Sequence, residues 1–377
     1  MSDREKSTRR NPPSPPGKAA DIAFDRRALL MVSATMGVVG ALGMLRAGVA
    51  PALAAKKFEG RKVVFVSWGG AYQNAQRDCY CAPFADKTGA TVVQDGPVDT
   101  AKFRAMAESS DPVWDVIDVT DGMLFNVAKD GLLEKIDKNA VHTDRISPAY
   151  VHEYGIGDIV WSYNIGYSTA TFDANNHPRS WAEVFDLKRF PGKRMLNATA
   201  APNMEIALMA DGVAPNKLYP LDIDRAFAKL DTIKSSVVFW QTNSQSQQLL
   251  TDGEVVCGTI LNGRAFDAVK KGAKMAIEWN QNIQSIDYLA IPKGSKNVEL
   301  AMGLIDEMTV AENQAKLANL IAYSPTNPAA FPGIDADISP WLATNPANVD
   351  KGFLISAEYW RDNLQKLQEH WNNWKLS

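Results

Sequence analysis

Cysteine is scarce, with three in 377 residues (Cys79, Cys81 and Cys257). So few exclude a disulfide scaffold, and no Cys-x-x-Cys pair suggests a zinc ribbon. Cys79 and Cys81 stand two apart on an expected helix and face different ways, which suits packed thiols. A bridge from either to Cys257 stays open at this level. Histidine is almost as rare. The four (His142, His152, His177, His370) are scattered, so no His-rich metal site is expected. A basic excess is missing too: 40 Lys+Arg stand against 43 Asp+Glu, a net charge of −3. That excludes the usual nucleic-acid binder. Catalytic signatures are absent as well. There is no G-x-x-x-x-G-K-S/T loop, no G-x-S-x-G elbow and no H-E-x-x-H. Gly155-Ile156-Gly157-Asp158 lacks the third small residue of a dinucleotide fingerprint and precedes a strand instead of following one. No catalytic residue, metal or cofactor is therefore expected, and the chain is read as a non-enzyme.

What is present begins with an uneven charge. Residues 1–55 hold eight Lys/Arg against four Asp/Glu, so they carry +4 and the remainder −7. Residues 1–20 are polar and Pro-rich. Asp25-Arg26-Arg27-Ala28 then leads into an apolar run ending at Leu45, followed by Ala50-Pro51-Ala52-Leu53-Ala54-Ala55. Basic, apolar and small-x-small parts in that order read as an export signal, and the paired arginines fit the twin-arginine type. The general secretory route and an uncleaved anchor are the alternatives. Gly37, Gly40 and Gly43 weaken the run as a membrane span, and no later segment reaches spanning length. The remaining chain is expected in the periplasm.

From residue 56 on, strands and helices alternate. Expected strands include 62–68, 90–94, 114–119, 159–167, 194–197, 237–240, 255–260 and 274–279; another covers 288–292. Expected helices include 71–88, 101–109, 203–211, 222–233, 263–272 and 297–322, with a helical tail over 328–377. Alternation of this kind implies parallel sheets covered by helices, with ligands at the carboxyl ends of strands. Ser67-Trp68-Gly69-Gly70-Ala71-Tyr72 and Thr120-Asp121-Gly122 lie at two such ends.

Six segments, in order, carry a resemblance: Val66–Tyr72, Pro83–Gly89, Asn262-Gly263-Arg264-Ala265, Ile286–Gly294, Ala322–Asn327 and the export signal. Together they resemble the periplasmic solute-binding proteins of ABC importers, in particular the spermidine/putrescine-binding type. The resemblance implies a two-lobed α/β fold (type II-like) with hinge crossings and a ligand cleft. Lobe 1 would take 56–162 and 264–325; lobe 2 would take 163–263 and the tail 326–377. It also implies a partner permease in the inner membrane and a monomeric protein.

The same resemblance places Trp68, Tyr72 and Tyr323 as aromatic walls and Asp287 as the ammonium-binding carboxylate. Tyr163 lies on a crossing strand. Asp121 lies at a strand end, as a cleft residue or a turn former. An amine needs such a carboxylate and aromatic faces. Departures are specific. Leu261 replaces an aromatic residue, Ser285 replaces a Trp, and Thr199–Asn203 has no acid. Arg264 stands where a small residue is common. A guanidinium grips a carboxylate with two prongs, although an inter-lobe salt bridge is an equal use for it. The first expectation is therefore capture of a small amine such as putrescine or spermidine. The second is an amino-carboxylate, γ-aminobutyrate-like or an amino acid, held by Arg264 and Asp287. A periplasmic enzyme or solute sensor on the same fold is the rival of another class. A ferric-ion binder is disfavoured, since no Tyr-Tyr pair occurs.

Overall fold

A computed structural model describes residues 56–109 and 112–377. The export signal expected in 1–55 lies outside the described residues. Strand β1 (Lys62–Val66) alternates its faces: Val63 and Phe65 enter one apolar layer, Val64 and Val66 the other. Its carboxyl end runs through Gly69 and Gly70, both at positive φ, into α1 (Gly70–Gln76). One π turn (Arg77–Cys81) links α1 to α2 (Ala82–Thr88), which stops at left-handed Gly89. Then come β2 (Thr91–Asp95), α3 (Thr100–Glu108) and β3 (Val116–Thr120). Helix α4 (Asp121–Lys129) starts directly after β3, because the Thr120 hydroxyl accepts from Met123 N and caps it.

After the short β4 (Val151–His152) comes β5 (Gly155–Ser168), 14 residues long. The second α/β stretch runs α5 (Trp181–Phe185), β6 (Arg194–Asn197), α6 (Ala200–Ala210), α7 (Ile223–Asp231), β7 (Val237–Trp240), α8 (Asn243–Thr251), β8 (Cys257–Leu261) and α9 (Asn262–Lys270). Strand β9 (Met275–Ala290) returns over 16 residues. The chain ends with α10 (Val298–Met308), α11 (Ala311–Ile321), β10 (Ser324–Pro325), β11 (Gly352–Leu354) and α12 (Ala357–Leu376).

The strand order is β2-β1-β3-β9-β5-β8-β6-β7. Parallel triplets at each end are joined by the antiparallel pair β9 and β5. Each triplet has its own core. Phe65, Phe84, Ile156, Leu289 and Leu304 pack around the first; Trp181, Leu196, Met204, Ile165 and Trp371 around the second. Only β5 and β9 feed both, which is the two-lobed α/β arrangement expected from the resemblance.

Three expectations differ. The strands at 274–279 and 288–292 are parts of one strand. The buried polar run Asn282, Gln284 and Ser285 hides that continuity, its polarity being met sideways: Gln284 Nε2 donates to Val349 O at 3.2 Å. The 297–322 helix is two helices broken at Thr309-Val310. The 328–351 segment forms short 3-10 turns, since Pro328, Pro332 and Pro340 remove helix donors, and only α12 is a long helix. Ala265, Ala268 and Met275 pack with Met195 and Trp240, while Phe266 packs with Ala318 and Ala322 and Trp279 with the cluster around Val66 and Trp114, so residues 264–283 touch elements of both triplets. Cys79, Cys81 and Cys257 are unpaired and buried.

Candidate functional site

The carboxyl end of β1 sorts its two last side chains. Ser67 is fully buried, and the glycines that follow leave Trp68 38% exposed. Tyr72 sits in the first turn of α1. Its hydroxyl donates to Asp158 Oδ2 at 2.9 Å, and its ring meets Tyr323 edge-on at 5.7 Å. Tyr323 follows α11, where Ala322 takes a left-handed conformation (φ 52). Gly263 is what lets Tyr323 in: a Cβ there would stand 2.4 Å from Tyr323 Cε1. Asn262 fixes the start of α9 by donating to Ala322 O (3.1 Å) and Trp341 O (2.9 Å). Arg264 follows, half-buried, and its charge acts on the Tyr323 hydroxyl.

Asp287 lies on β9, 6% exposed. Its Oδ1 accepts from Trp161 Nε1 at 2.9 Å, and Trp68 is a second side-chain partner. Burial pushes Asp287 up to about 7, with the charges of Asp121 and Asp158 adding to the rise and the two indoles opposing it. Tyr163 stands beside this group. Its ring packs edge-on against Trp161 at 5.2 Å, and its hydroxyl accepts from Asn197 Nδ2 at 3.4 Å. Burial raises its pKa.

Trp68, Tyr72, Arg264, Asp287 and Tyr323 are therefore linked by direct contacts or charge, and Tyr163 joins through Trp161. Asp121 is placed differently. Its carboxylate takes Gly122 N (2.7 Å) and Ser285 Oγ (2.9 Å), and it lines a neighbouring cavity with Tyr288. Burial pushes it up to about 6. The salt bridge weighed for Arg264 is absent: it has no ion pair among the described residues, and its buried Nε has no hydrogen-bond partner there. Asp287 likewise has no cationic partner among them.

Two features escaped the sequence reading. Trp161 is one; its place two residues before Tyr163 on a strand, hence on the same face, was the available signal. The other is a buried polar cluster behind Tyr72. Gln76 Nε2 stands 2.7 Å from both Asp118 Oδ2 and Asp158 Oδ2, and Ser67 Oγ donates to Gln76 Oε1 at 2.6 Å. Burial and neighbouring carboxylates push Asp118 well up, and burial pushes Asp158 to about 6. Glu205 is a further buried acid outside the Thr199–Asn203 stretch. Tyr219 (2.7 Å) and Trp360 (2.5 Å) hold its Oε1 within the second lobe's core. Among the described residues no group of His, Cys, Asp and Glu suits a metal ion.

Residues 79–349 match the model of the bacterial extracellular solute-binding proteins. The γ-aminobutyric acid-binding protein of Pseudomonas aeruginosa is 32% identical over 328 residues, covering 85% of this chain and 93% of that protein. The spermidine/putrescine-binding periplasmic protein 1 of Haemophilus influenzae is 24% identical over 295 residues, covering 74% and 79%. A solved structure of a GABA receptor superposes with a TM-score of 0.78 at 38% identity, covering 84% of this chain and 98% of that one.

Proposed function

The chain belongs to the bacterial extracellular solute-binding protein family, and from that premise we propose that its solute is a small amino-carboxylate of the γ-aminobutyrate kind. The observation that carries this reading is that half-buried Arg264 and buried Asp287 make no ion pair among the described residues. Buried polar groups are ordinarily partnered, and an unpaired buried charge is costly. A zwitterion answers both at once: its carboxylate takes the Arg264 guanidinium and its ammonium takes Asp287. Trp68, Tyr72 and Tyr323 supply faces for the methylenes between. The similarity to γ-aminobutyrate-binding proteins supports this choice. A diamine, the first expectation from the sequence, leaves Arg264 without an anion and brings a second positive charge near it.

Ligand bridging both lobes favours the closed form, which then delivers solute to a membrane permease. We place the first lobe at about 56–162 and 284–325, and the second at about 163–283 with α12. Action in the periplasm after export by the N-terminal signal fits the family; among the described residues no helix is long and apolar enough to cross a membrane.

Calorimetric titration of residues 56–377 with γ-aminobutyrate and putrescine tests the reading. γ-Aminobutyrate is expected to bind at micromolar Kd or below, and at 100 times Kd to add about 2.7 kcal/mol of stability. Tighter binding of putrescine that is lost on Asp287→Asn would restore the polyamine assignment.

A further inference from the structure

Beside the site, α4, β9 and the start of α12 enclose a cavity of about 320 Å³. Asp121 and Phe125 line it from α4, Ile286 and Tyr288 from β9, and Leu354 and Glu358 from the segment entering α12. Side chains alternate along a strand, so Ile286 and Tyr288 face away from the side that carries Asp287. The cavity therefore lies across β9 from Asp287, with Ser285, on the Asp287 face, donating to Asp121 and joining the two.

Its lining holds two carboxylates and no Lys or Arg. Lys129 and Arg361 both pair with Asp362, at 3.1 and 2.6 Å, and Arg361 also feels the charge of Glu358. Tyr288 is 4% exposed, yet its hydroxyl has no hydrogen-bond partner among the described residues. Asp121, 8% exposed, has no ion pair there either. Both helices that start at the cavity are already served by their own side chains. Asp121 accepts from Gly122 N, and Ser356 Oγ accepts from Tyr359 N at 3.2 Å. An anion would face two carboxylates, whereas a cation finds the Asp121 and Glu358 carboxylates and the Tyr288 hydroxyl oxygen as acceptors.

We infer that this cavity is a second binding site, for a small aliphatic amine with two ammonium groups. One ammonium donates to the Asp121 carboxylate and the Tyr288 hydroxyl. The methylenes lie on Ile286 and Leu354, with Phe125 offering a ring face to the charge. The second ammonium meets Glu358 at the mouth. The volume lies near the lower end of the usual range of about 300–1,000 Å³ for small-molecule pockets. One wall, α4, packs with the first core. The other leads into α12, whose Trp360, Trp371 and Trp374 are set in the second. An occupant touches both, so its binding is linked to their relative placement.

The test uses putrescine and calorimetry on a protein whose main site is disabled by Arg264→Ala with Asp287→Asn. One putrescine site per chain is expected to persist. Glu358→Gln and Tyr288→Phe, each added to that background, are expected to weaken it tenfold or more. Leu354→Trp, a substitution at a 39% exposed position on the rim, is expected to block it. Folding of each variant is checked by its thermal transition. Absence of putrescine binding in the disabled protein, or binding indifferent to all three substitutions, overturns the inference. Neither readout involves γ-aminobutyrate, so failure here is separable from failure of the proposed function.

Discussion

The Trp161 indole N–H donates to Asp287 Oδ1 at 2.9 Å, tying the middle of β5 to the one carboxylate of β9 that the family pattern assigns to an ammonium. This bond favours the charged form of Asp287 against the burial that raises its pKa. Trp161→Phe keeps most of the aromatic volume and removes the donor. Asp287 then titrates higher, so less of it is ionised at neutral pH. γ-Aminobutyrate affinity is expected to fall about tenfold at pH 7, a loss of about 1.4 kcal/mol. Calorimetry at pH 7 and pH 8.5 checks this: the deficit should shrink at the higher pH. An equal deficit at both would mean that Trp161 acts by packing alone.

Arg264 separates the two solute classes. With Arg264→Ala the ligand carboxylate loses its charged partner while Asp287 and the aromatic walls remain. Removing one side of a buried charge pair costs about 2–5 kcal/mol, so γ-aminobutyrate affinity should fall at least thirtyfold. Putrescine, which has no carboxylate, should bind no worse than to the parent. Arg264→Lys keeps the charge but loses the two-pronged fork, and should recover only part of the loss. Equal losses for both ligands would deny Arg264 its assigned role.

Much of this was legible in the chain, for local reasons. The period-two apolar runs of β1 and β3 and the Gly-Gly turn after Trp68 are written in adjacent residues. Arg264 and Asp287 stand out in the sequence because short motifs surround them. Trp161 and Asp158 do not, since their meaning depends on which strand lies opposite: Trp161 pairs with Ser285 and Ile159 with Asp287 only through the long β5–β9 ladder. The continuity of β9 was hidden for the same reason, because its polar middle is satisfied by backbone near residue 349. The packing of Ala265 on α9 against Met195, and of Phe266 against Ala318, is likewise announced by no sequence spacing.

Gly263 is a close-approach glycine. Gly263→Ala sets a methyl 2.4 Å from Tyr323 Cε1, so the ring must move off Tyr72. Overpacking of this kind costs about 1–3 kcal/mol of stability. Ligand affinity should fall with it, because Tyr323 is a wall of the proposed site. Tyr323→Ala removes the clash, so the double variant should be more stable than the sum of the two single changes predicts. Thermal melts of the four proteins in this cycle check the coupling; strict additivity would refute the steric account.

Trp371 is fully buried between Phe239 and Trp374, and its indole donates to Ala198 O at 2.7 Å. It anchors α12 on the second core. Trp371→Ala should cost about 3–5 kcal/mol, read as a large drop in the denaturant midpoint. A cost below about 1 kcal/mol would show that α12 is dispensable to that core.

The buried acids set a pH dependence whose sign can be worked out. Asp287 and Glu205 are pushed to about 7, and Asp121 and Asp158 to about 6. Their unfolded values lie near 4. Between those limits the native state binds more protons than the unfolded chain, so stability falls as pH rises through about 7. Surface acids such as Asp362, held low by Arg361 and Lys129, stay ionised throughout and add no slope. His152, held down by burial, opposes the trend below about pH 6.5, one group against the raised carboxyls, Asp118 among them. The unliganded protein should therefore melt lower at pH 8 than at pH 5.5. A bound ammonium favours ionised Asp287, so the thermal shift from saturating γ-aminobutyrate should be larger at pH 8. Asp287→Asn should flatten part of the first slope and abolish the second effect. An unliganded melting temperature that rises from pH 5.5 to pH 8 would contradict the burial argument for these four carboxyls together.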